Sequence, residues 1–238
     1  MNNVQIDGAT ERDAFGLGST GAPGAEVNSK SVSIDAVKEF QILLAPYDVR
    51  QGNFGGLLLN AVTKSGTNEF HGSTFYFYRN EKFGADTSVL RATPFDRTQY
   101  GFTLGGPIVR DRMHFFVAPE FQEENTPVGG PYFGQPGDLT PVFPLDDATI
   151  DRFQEIMTSL GNTELGTPGA QNIENPLRNF FGRLDWRLND THRMVFRYNY
   201  GKGTLLRQQN PRLSNRVVFS SNFNDFTNTK HAPVLQVF

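Results

Sequence analysis

The 238-residue sequence contains no cysteine, one tryptophan and four methionines. Without cysteine, these residues hold no disulfide, no thiolate nucleophile and no cysteine-ligated metal. No apolar run approaches the ~20 residues of a membrane-spanning helix, and the first residues lack the basic start and apolar core of a signal peptide. No charge of one sign dominates either, because 22 basic and 25 acidic residues give a net charge of −3. Nucleic acid is therefore not expected as a partner.

What the chain does contain favours strands and turns. Phenylalanine occurs 22 times and glycine 24 times, a balance that indicates an all-β-dominated fold rather than a helical bundle. The mean hydropathy of −0.43 does not exclude a membrane barrel, because barrel strands carry their apolar surface on alternate residues.

Two pairs of segments alternate between apolar and polar residues with the period of a β-strand. Residues 99–105 and 114–121 predict one hairpin, with a tight connection at 106–112. Residues 180–188 and 194–200 predict a second hairpin, in which one face is nearly all apolar and the other carries charge. A further strand is expected over 216–226, whereas 227–238 show no clear pattern.

Short and long connections alternate along this series. The links near Pro107 and at Asn189–Asp190 are short, whereas three others are long: 81–98, 122–177 and 201–215. Short turns on one rim and long loops on the other are typical of outer-membrane barrels. The longest loop contains an amphipathic pattern that predicts a helix over 147–160, capped by Asp146 or Asp147.

A soluble alternative explains the same alternation. In a β-sandwich the apolar face would pack against a second sheet and the polar face would meet water. Periodicity alone does not separate this fold, with a carbohydrate-binding or adhesion role, from a membrane barrel.

The first part of the chain has a different pattern. Residues 33–40 predict a short helix with Ser33 as its cap, followed by an extended segment before Pro46. Residues 57–62 then predict a short apolar strand. Together these segments suggest part of a small α/β unit.

Several motifs resemble TonB-dependent outer-membrane receptors. Ile34-Asp-Ala-Val-Lys-Glu-Phe-Gln-Ile and Asn60-Ala-Val-Thr-Lys-Ser-Gly-Thr-Asn, followed by His71-Gly72, are similar to the late plug and the plug-to-barrel junction of that family. Gly105-Gly-Pro-Ile-Val-Arg-Asp-Arg112 resembles the first periplasmic hairpin of its Oar-like subgroup.

The resemblance implies a fragment of such a receptor. Residues 1–66 would be the C-terminal part of the plug, and 67–238 the first ~6 strands of a transmembrane antiparallel β-barrel, with an extracellular loop at 122–177. It implies a location in the outer membrane of a Gram-negative-type bacterium, and contact with membrane lipid and an unknown external solute. The solute would be a siderophore, vitamin, saccharide or peptide, and the TonB-ExbB-ExbD system would supply energy through a segment not recognised in this sequence.

No catalytic, cofactor-binding or metal-binding constellation is recognised. The four histidines have no metal-ligand spacing, so no enzyme activity, cofactor or metal is expected. One charge cluster has a functional interpretation under the barrel hypothesis: its members would face the lumen and pair with the plug or with each other. The cluster consists of Arg183, Asp185, Arg187, Arg193 and Arg197.

Overall fold

The fold is given by a computed structural model of the chain. It describes residues 3–11, 22–44, 57–83, 95–127, 146–162, 164–168, 172–208 and 219–238. Among these residues the strands form two sheets, one of four strands and one of seven.

The small sheet is built from the first part of the chain, in the order β2-β1-β4-β3. Its strands are β1 (Asn3–Ile6), β2 (Ala9–Thr10), β3 (Val37–Leu44) and β4 (Leu57–Thr63). β1 runs parallel to β4, and β3 runs antiparallel to β4. The turn between β1 and β2 places Asp7 at φ 46° and Gly8 at φ 82°, the left-handed region that Asp and Gly tolerate best.

The large sheet is antiparallel, in the order β11-β10-β9-β7-β6-β5, with β8 paired to the end of β7. The strands are β5 (His71–Asn80), β6 (Asp96–Val109), β7 (Met113–Pro127), β8 (Asn172–Glu174), β9 (Leu177–Arg187), β10 (Arg193–Gln208) and β11 (Phe223–Val237). Six of them have 10 to 16 residues, enough to cross a bilayer at a tilt.

The short turns lie together at one edge of this sheet. β6 and β7 are joined through residues 110–112, and β9 and β10 through residues 188–192. The amide of Arg187 donates to the carbonyl of Arg112 at 2.7 Å, which joins the two turns. The long connections leave from the opposite edge, as the alternation of loop lengths predicts.

Among the described residues the long excursion holds the one α-helix, α1 (Asp147–Ser159). Asp146 caps it by accepting a hydrogen bond from the Thr149 amide at 2.9 Å, and Gly161 follows it at φ 87°. The predicted helix is confirmed in position and cap. The excursion is shorter than 122–177, because β7 continues to Pro127 and β8 and β9 begin at Asn172 and Leu177.

Three predicted segments differ in the structure. Residues 33–40 form a single 3-10 turn, Ile34–Ala36, and then enter β3, because β4 supplies backbone partners from Val37 onward. Ser33 makes no side-chain cap. Residues 106–109 belong to β6 rather than to a turn, and only 110–112 reverse the chain.

The last strand also lies later than predicted. Residues 216–218 of the expected strand lie outside the described residues, Phe219 forms an isolated bridge, and Ser220–Asn222 form a 3-10 turn. The segment without a clear pattern, 227–238, is instead most of β11. It is a strand because β10 pairs with it over fifteen consecutive positions.

The two faces of the large sheet have different environments. One face, here called the inner face, contacts the segment leading into β3: Ala36 packs with Phe116, Ala118 and Phe181 in a buried cluster. The opposite, outer face remains exposed and aromatic, with Trp186 at 39% of its full exposure. A β-sandwich would cover the apolar face, whereas here the covered face is the one that carries charge. This favours the barrel interpretation.

In the described part of the chain, no helix has the length and apolar character required to cross a membrane.

Candidate functional site

One cluster of polar contacts between the two sheets centres on Asp7. Its carboxylate Oδ1 accepts from the Thr63 amide at 2.7 Å, and Oδ2 accepts from the Thr63 hydroxyl at 2.6 Å. These bonds fix the carboxylate within the small sheet, between the end of β1 and the end of β4. Oδ2 then points to the large sheet, where Arg197 Nη1 donates to it at 3.0 Å.

Arg197 is almost completely buried, with 2% of its surface exposed. Its Nη1 also donates to the carbonyl of Ile6 at 2.8 Å. A buried guanidinium is costly unless a carboxylate compensates its charge. Asp7 supplies that charge, so this pair ties β1 of the small sheet to β10 of the large sheet.

Arg183 joins the same cluster from β9, beside Arg197 on β10. It forms a bidentate salt bridge with Asp185, in which Nε and Nη2 donate to the two carboxylate oxygens at 2.7 and 2.9 Å. Its remaining Nη1 donates to Thr63 Oγ1 at 2.9 Å and lies 3.5 Å from Asp7 Oδ2. The planar guanidinium therefore satisfies one carboxylate of its own strand while contacting the small sheet.

Two predicted members lie elsewhere. Arg187 and Arg193 are exposed at the strand ends next to the 188–192 turn, and the Arg193 guanidinium lies 5.3 Å from the Phe238 ring centre. The structure thus brings together Arg183, Asp185 and Arg197 but not the other two. Sequence reasoning missed Asp7 and Thr63, although the Asp-Gly turn after a short strand was a usable signal.

A second contact crosses the same interface at Glu120 of β7. This carboxylate is 1% exposed and pairs with Lys30, in the segment that leads to β3. Gln99 of β6 also donates to Glu120 Oε1, at 2.8 Å. The inner face therefore holds the first part of the chain through charges of both signs.

The junction between the two sheets packs closely against the first short turn. Asn68 exchanges two hydrogen bonds with Asp111, and His114 Nε2 lies 2.8 Å from Asn68 Oδ1. A Cβ added at Gly66 would lie 2.2 Å from the carbonyl oxygen of Phe115. Only glycine allows the chain to pass this close to β7.

A cleft of about 470 Å³ lies beside this junction and is lined by residues from both sheets. Lys38, Lys64, Thr67, His71 and Ser73 contribute to its wall. In the described ranges, no three His, Asp or Glu side chains come together in an arrangement that could hold a metal ion. Among the described residues, the contact between the two sheets combines ion pairs, hydrogen bonds and the buried apolar cluster around Ala36.

The sequence resembles proteins of the bacterial outer membrane. Residues 62–133 match the family model described as an outer membrane beta barrel domain. The chain is 35% identical over 133 residues to the TonB-dependent transporter Oar of Myxococcus xanthus, covering 50% of this chain and 12% of that protein. It is 23% identical over 190 residues to the probable TonB-dependent siderophore receptor PirA of Acinetobacter baumannii, covering 79% of this chain and 20% of that protein.

Solved structures show the same architecture. The siderophore receptor PirA aligns with a TM-score of 0.58 at 19% identity, covering 99% of this chain and 29% of that one. The ferric enterobactin receptor PfeA of Pseudomonas aeruginosa aligns at 0.51 and 16% identity, covering 87% of this chain and 25% of that one. The fold is therefore that of a partial outer-membrane β-barrel.

The sequence similarity points to one family within this class. The relatives are TonB-dependent receptors or transporters, Oar among them, and the chain is similar to a fragment of such a protein. The chain spans 12% and 20% of the lengths of the two curated relatives.

Proposed function

We propose that the protein takes up a scarce solute across the outer membrane, through a barrel closed by a plug and energised by the TonB-ExbB-ExbD system. In this proposal residues 1–66 are the C-terminal part of the plug and 67–238 the first strands of the barrel. The solute belongs to the siderophore, vitamin, saccharide or peptide classes. The protein moves the solute and does no chemistry on it.

The observation that carries this proposal is the Asp7 cluster. It joins the small sheet to the charged face of the large sheet through a buried arginine, while the aromatic face stays exposed. A plug inside a barrel needs this arrangement, because the inner face must be polar enough to release it and the outer face must meet lipid. Arg183, Asp185 and Arg197 are then residues that hold the plug rather than residues that bind solute.

The relatives support the transport class and leave the solute open. One is named a transporter, one a probable siderophore receptor and one a ferric enterobactin receptor. A siderophore is accordingly the first solute class to examine.

The test uses the full-length protein in a Gram-negative host with and without a functional tonB gene. Uptake is measured for ⁵⁵Fe carried by catecholate, hydroxamate and citrate chelators, and then for cobalamin, maltodextrins and short peptides. We expect saturable uptake of one class that is lost without TonB. Uptake that does not depend on TonB, or a protein absent from the outer-membrane fraction, would contradict the proposal.

A further inference from the structure

Two cations lie directly opposite each other on the outer face of the large sheet. Arg178 of β9 and Lys202 of β10 are register partners, and both side chains are exposed. Arg178 is an even number of residues from Trp186, and Lys202 is an even number from Phe196. Since alternate residues of a strand share a face, both cations lie on the same face as these two aromatic side chains. We call Arg178 and Lys202 the cation pair.

No carboxylate among the described residues neutralises the cation pair. Neither member takes part in an ion pair or a side-chain hydrogen bond in that part of the chain. Like charges directly opposite each other on adjacent strands repel. The sheet therefore presents two neighbouring positive charges, and an anion that contacts both of them would relieve the repulsion.

The carboxylates of the outer face lie nearer the long connections than the cation pair does. On β7, Glu123 follows Phe121, the register partner of Arg178. On β11, Asp225 is the register partner of Leu206, beyond Lys202. Glu123 also lines a cleft of about 400 Å³, whose other acidic residues lie on β6, β7 and β8: Asp96, Glu124 and Glu174. Charge is thus divided along this edge, and an anion is drawn to β9 and β10 and repelled from the acidic cleft.

The cation pair lies where the aromatic surface of the outer face ends. Phe180 and Tyr200, themselves register partners, occupy the preceding outer-face positions of β9 and β10. Phe121 lies beside Arg178 on β7, and its ring stacks on that of Tyr100 with 5.4 Å between the ring centres. In a membrane protein, aromatic side chains at the end of the apolar band mark the level of the lipid head groups.

The distance along the strand agrees with this level. At ~3.4 Å per residue, the segment from Trp186 to Arg178 is ~27 Å long. A tilted barrel strand of this length crosses most of the ~25 Å apolar band. The cation pair is therefore placed at the far end of that band from Trp186 and from the short turns.

Resting on the proposed function, in which the outer face meets lipid, we propose that the cation pair binds the phosphate of a lipid head group. The Arg178 guanidinium suits a two-pronged contact with phosphate oxygens, and the Lys202 ammonium adds a point charge. The acyl chains of the same lipid would cover Phe121, Phe180 and Tyr200. Free phosphate has no chains to cover these rings, so the surface as a whole fits a phosphorylated lipid.

The test measures which lipid lies next to the cation pair. Thr229 of β11 is exposed and is the register partner of Lys202. Thr229→Cys is placed in the full-length protein and carries a small fluorophore. The 238 residues contain no cysteine, and any cysteine elsewhere in the protein is changed to serine. The protein is reconstituted in phosphatidylcholine vesicles with EDTA, which removes divalent cations that would bridge phosphate to the acidic cleft.

The probes are phosphatidic acid and phosphatidylcholine, each with a nitroxide quencher on the acyl chain near the head group. We expect the phosphatidic acid to quench the fluorophore at a roughly 10-fold lower mole fraction, because each cation at the membrane surface strengthens the binding of an anionic lipid. Arg178→Gln/Lys202→Gln should reduce this preference to about 2-fold or less, because both charges are lost.

The matched control is Arg187→Gln/Arg193→Gln. These arginines are also register partners on β9 and β10, so the variant removes the same charge from the same two strands. They lie on the inner face at the short-turn edge, and the preference next to Thr229 should remain. Arg178→Lys/Lys202→Arg keeps both charges and should also keep the preference. Heat-dependent gel mobility shows that each variant has formed its barrel.

The outcomes separate this site from the proposed function. Equal quenching by the two lipids, or an equal loss of preference in the Arg187→Gln/Arg193→Gln control, overturns the phosphate site. Displacement of phosphatidic acid by inorganic phosphate at matched ionic strength would assign the cation pair to a free anion and overturn the lipid. In these cases quenching by phosphatidylcholine leaves the proposed function standing. If neither lipid quenches the fluorophore, the outer face does not meet lipid and both proposals fall.

Discussion

At the scale of single residues, the attachment of the small sheet depends on one carboxylate. Asp7 accepts from Thr63 within its own sheet and from Arg197 across the interface. Arg183 has Asp185 as a second carboxylate partner, whereas Arg197 pairs with Asp7 alone among the residues that the structure describes. Loss of the Asp7 charge should therefore affect Arg197 most.

Asp7→Asn tests this dependence while keeping the shape of the side chain. Removing one partner of a buried ion pair costs ~3 kcal/mol, so amide exchange in β1 should become roughly 100-fold faster. The measurement is hydrogen exchange of the full-length protein in detergent, followed at residues 4–6. Asp190→Asn, an exposed carboxylate in a turn, is the control. Equal exchange in the two variants would show that Asp7 does not hold the small sheet.

At the scale of elements, α1 and the strands depend on different forces. The helix has a cap, an apolar side and a stop signal in its own sequence, and Ile150 is its buried contact. Phe153 adds a ring contact with Phe219, at 5.7 Å between ring centres. The helix thereby links the loop before β8 to the connection between β10 and β11.

The cap of α1 should titrate at acid pH. Hydrogen bonds from the Thr149 side chain and amide lower the pKa of the Asp146 carboxyl below its ordinary value of 3.8. A lowered pKa in the folded state means that the cap stabilises the helix fully above about pH 4, and that this contribution is lost as pH falls through the folded pKa. We expect the NMR signal of the Thr149 amide to shift with a midpoint below 3.8.

Asp146→Asn is the matched control for this titration. The amide can still accept from Thr149 but carries no proton that titrates in this range. The Thr149 signal should therefore stay constant on acidification. A midpoint at or above the ordinary value in the unmodified protein would contradict the cap geometry.

At the scale of the whole molecule, the outer face of the large sheet indicates which environment surrounds the protein. Its exposed aromatic residues form the band that a barrel turns to lipid: Tyr76, Tyr78, Phe102, Trp186 and Phe196. Tyr198, on the same face of β10, is half-buried, and its hydroxyl lies 2.7 Å from His231 Nδ1.

The fluorescence of Trp186 can test whether the outer face contacts lipid, because Trp186 is the single tryptophan of these 238 residues. In vesicles made with brominated lipids, we expect the fluorescence that disappears with Trp186→Phe to be strongly quenched, because the bromine atoms would contact the indole. The Tyr198→Phe variant, which keeps Trp186, serves as a control for changes in the neighbouring strand. An unquenched Trp186 would place this face against protein instead of lipid.

The sequence predicted those elements whose signals are local. Alternating residues gave the strands around 99–105, 180–188 and 194–200, and a capped amphipathic pattern gave α1. Residues 227–238 were not predicted as a strand, because polar and apolar residues do not alternate there and pairing with β10 supplies their order. Residues 37–40 had a helical spacing that pairing with β4 overrides.

The two-faced strands, the helix in the long loop and the motifs similar to those of TonB-dependent receptors can all be recognised from local sequence patterns. Alternation is a property of neighbours along the chain, so it can be read without coordinates. The contact of Asp7 with Arg197, 190 positions away, and the packing of Val27 above Gly203 depend on the tertiary structure. Partners this distant are set by how the two sheets pack, and no local pattern encodes that packing.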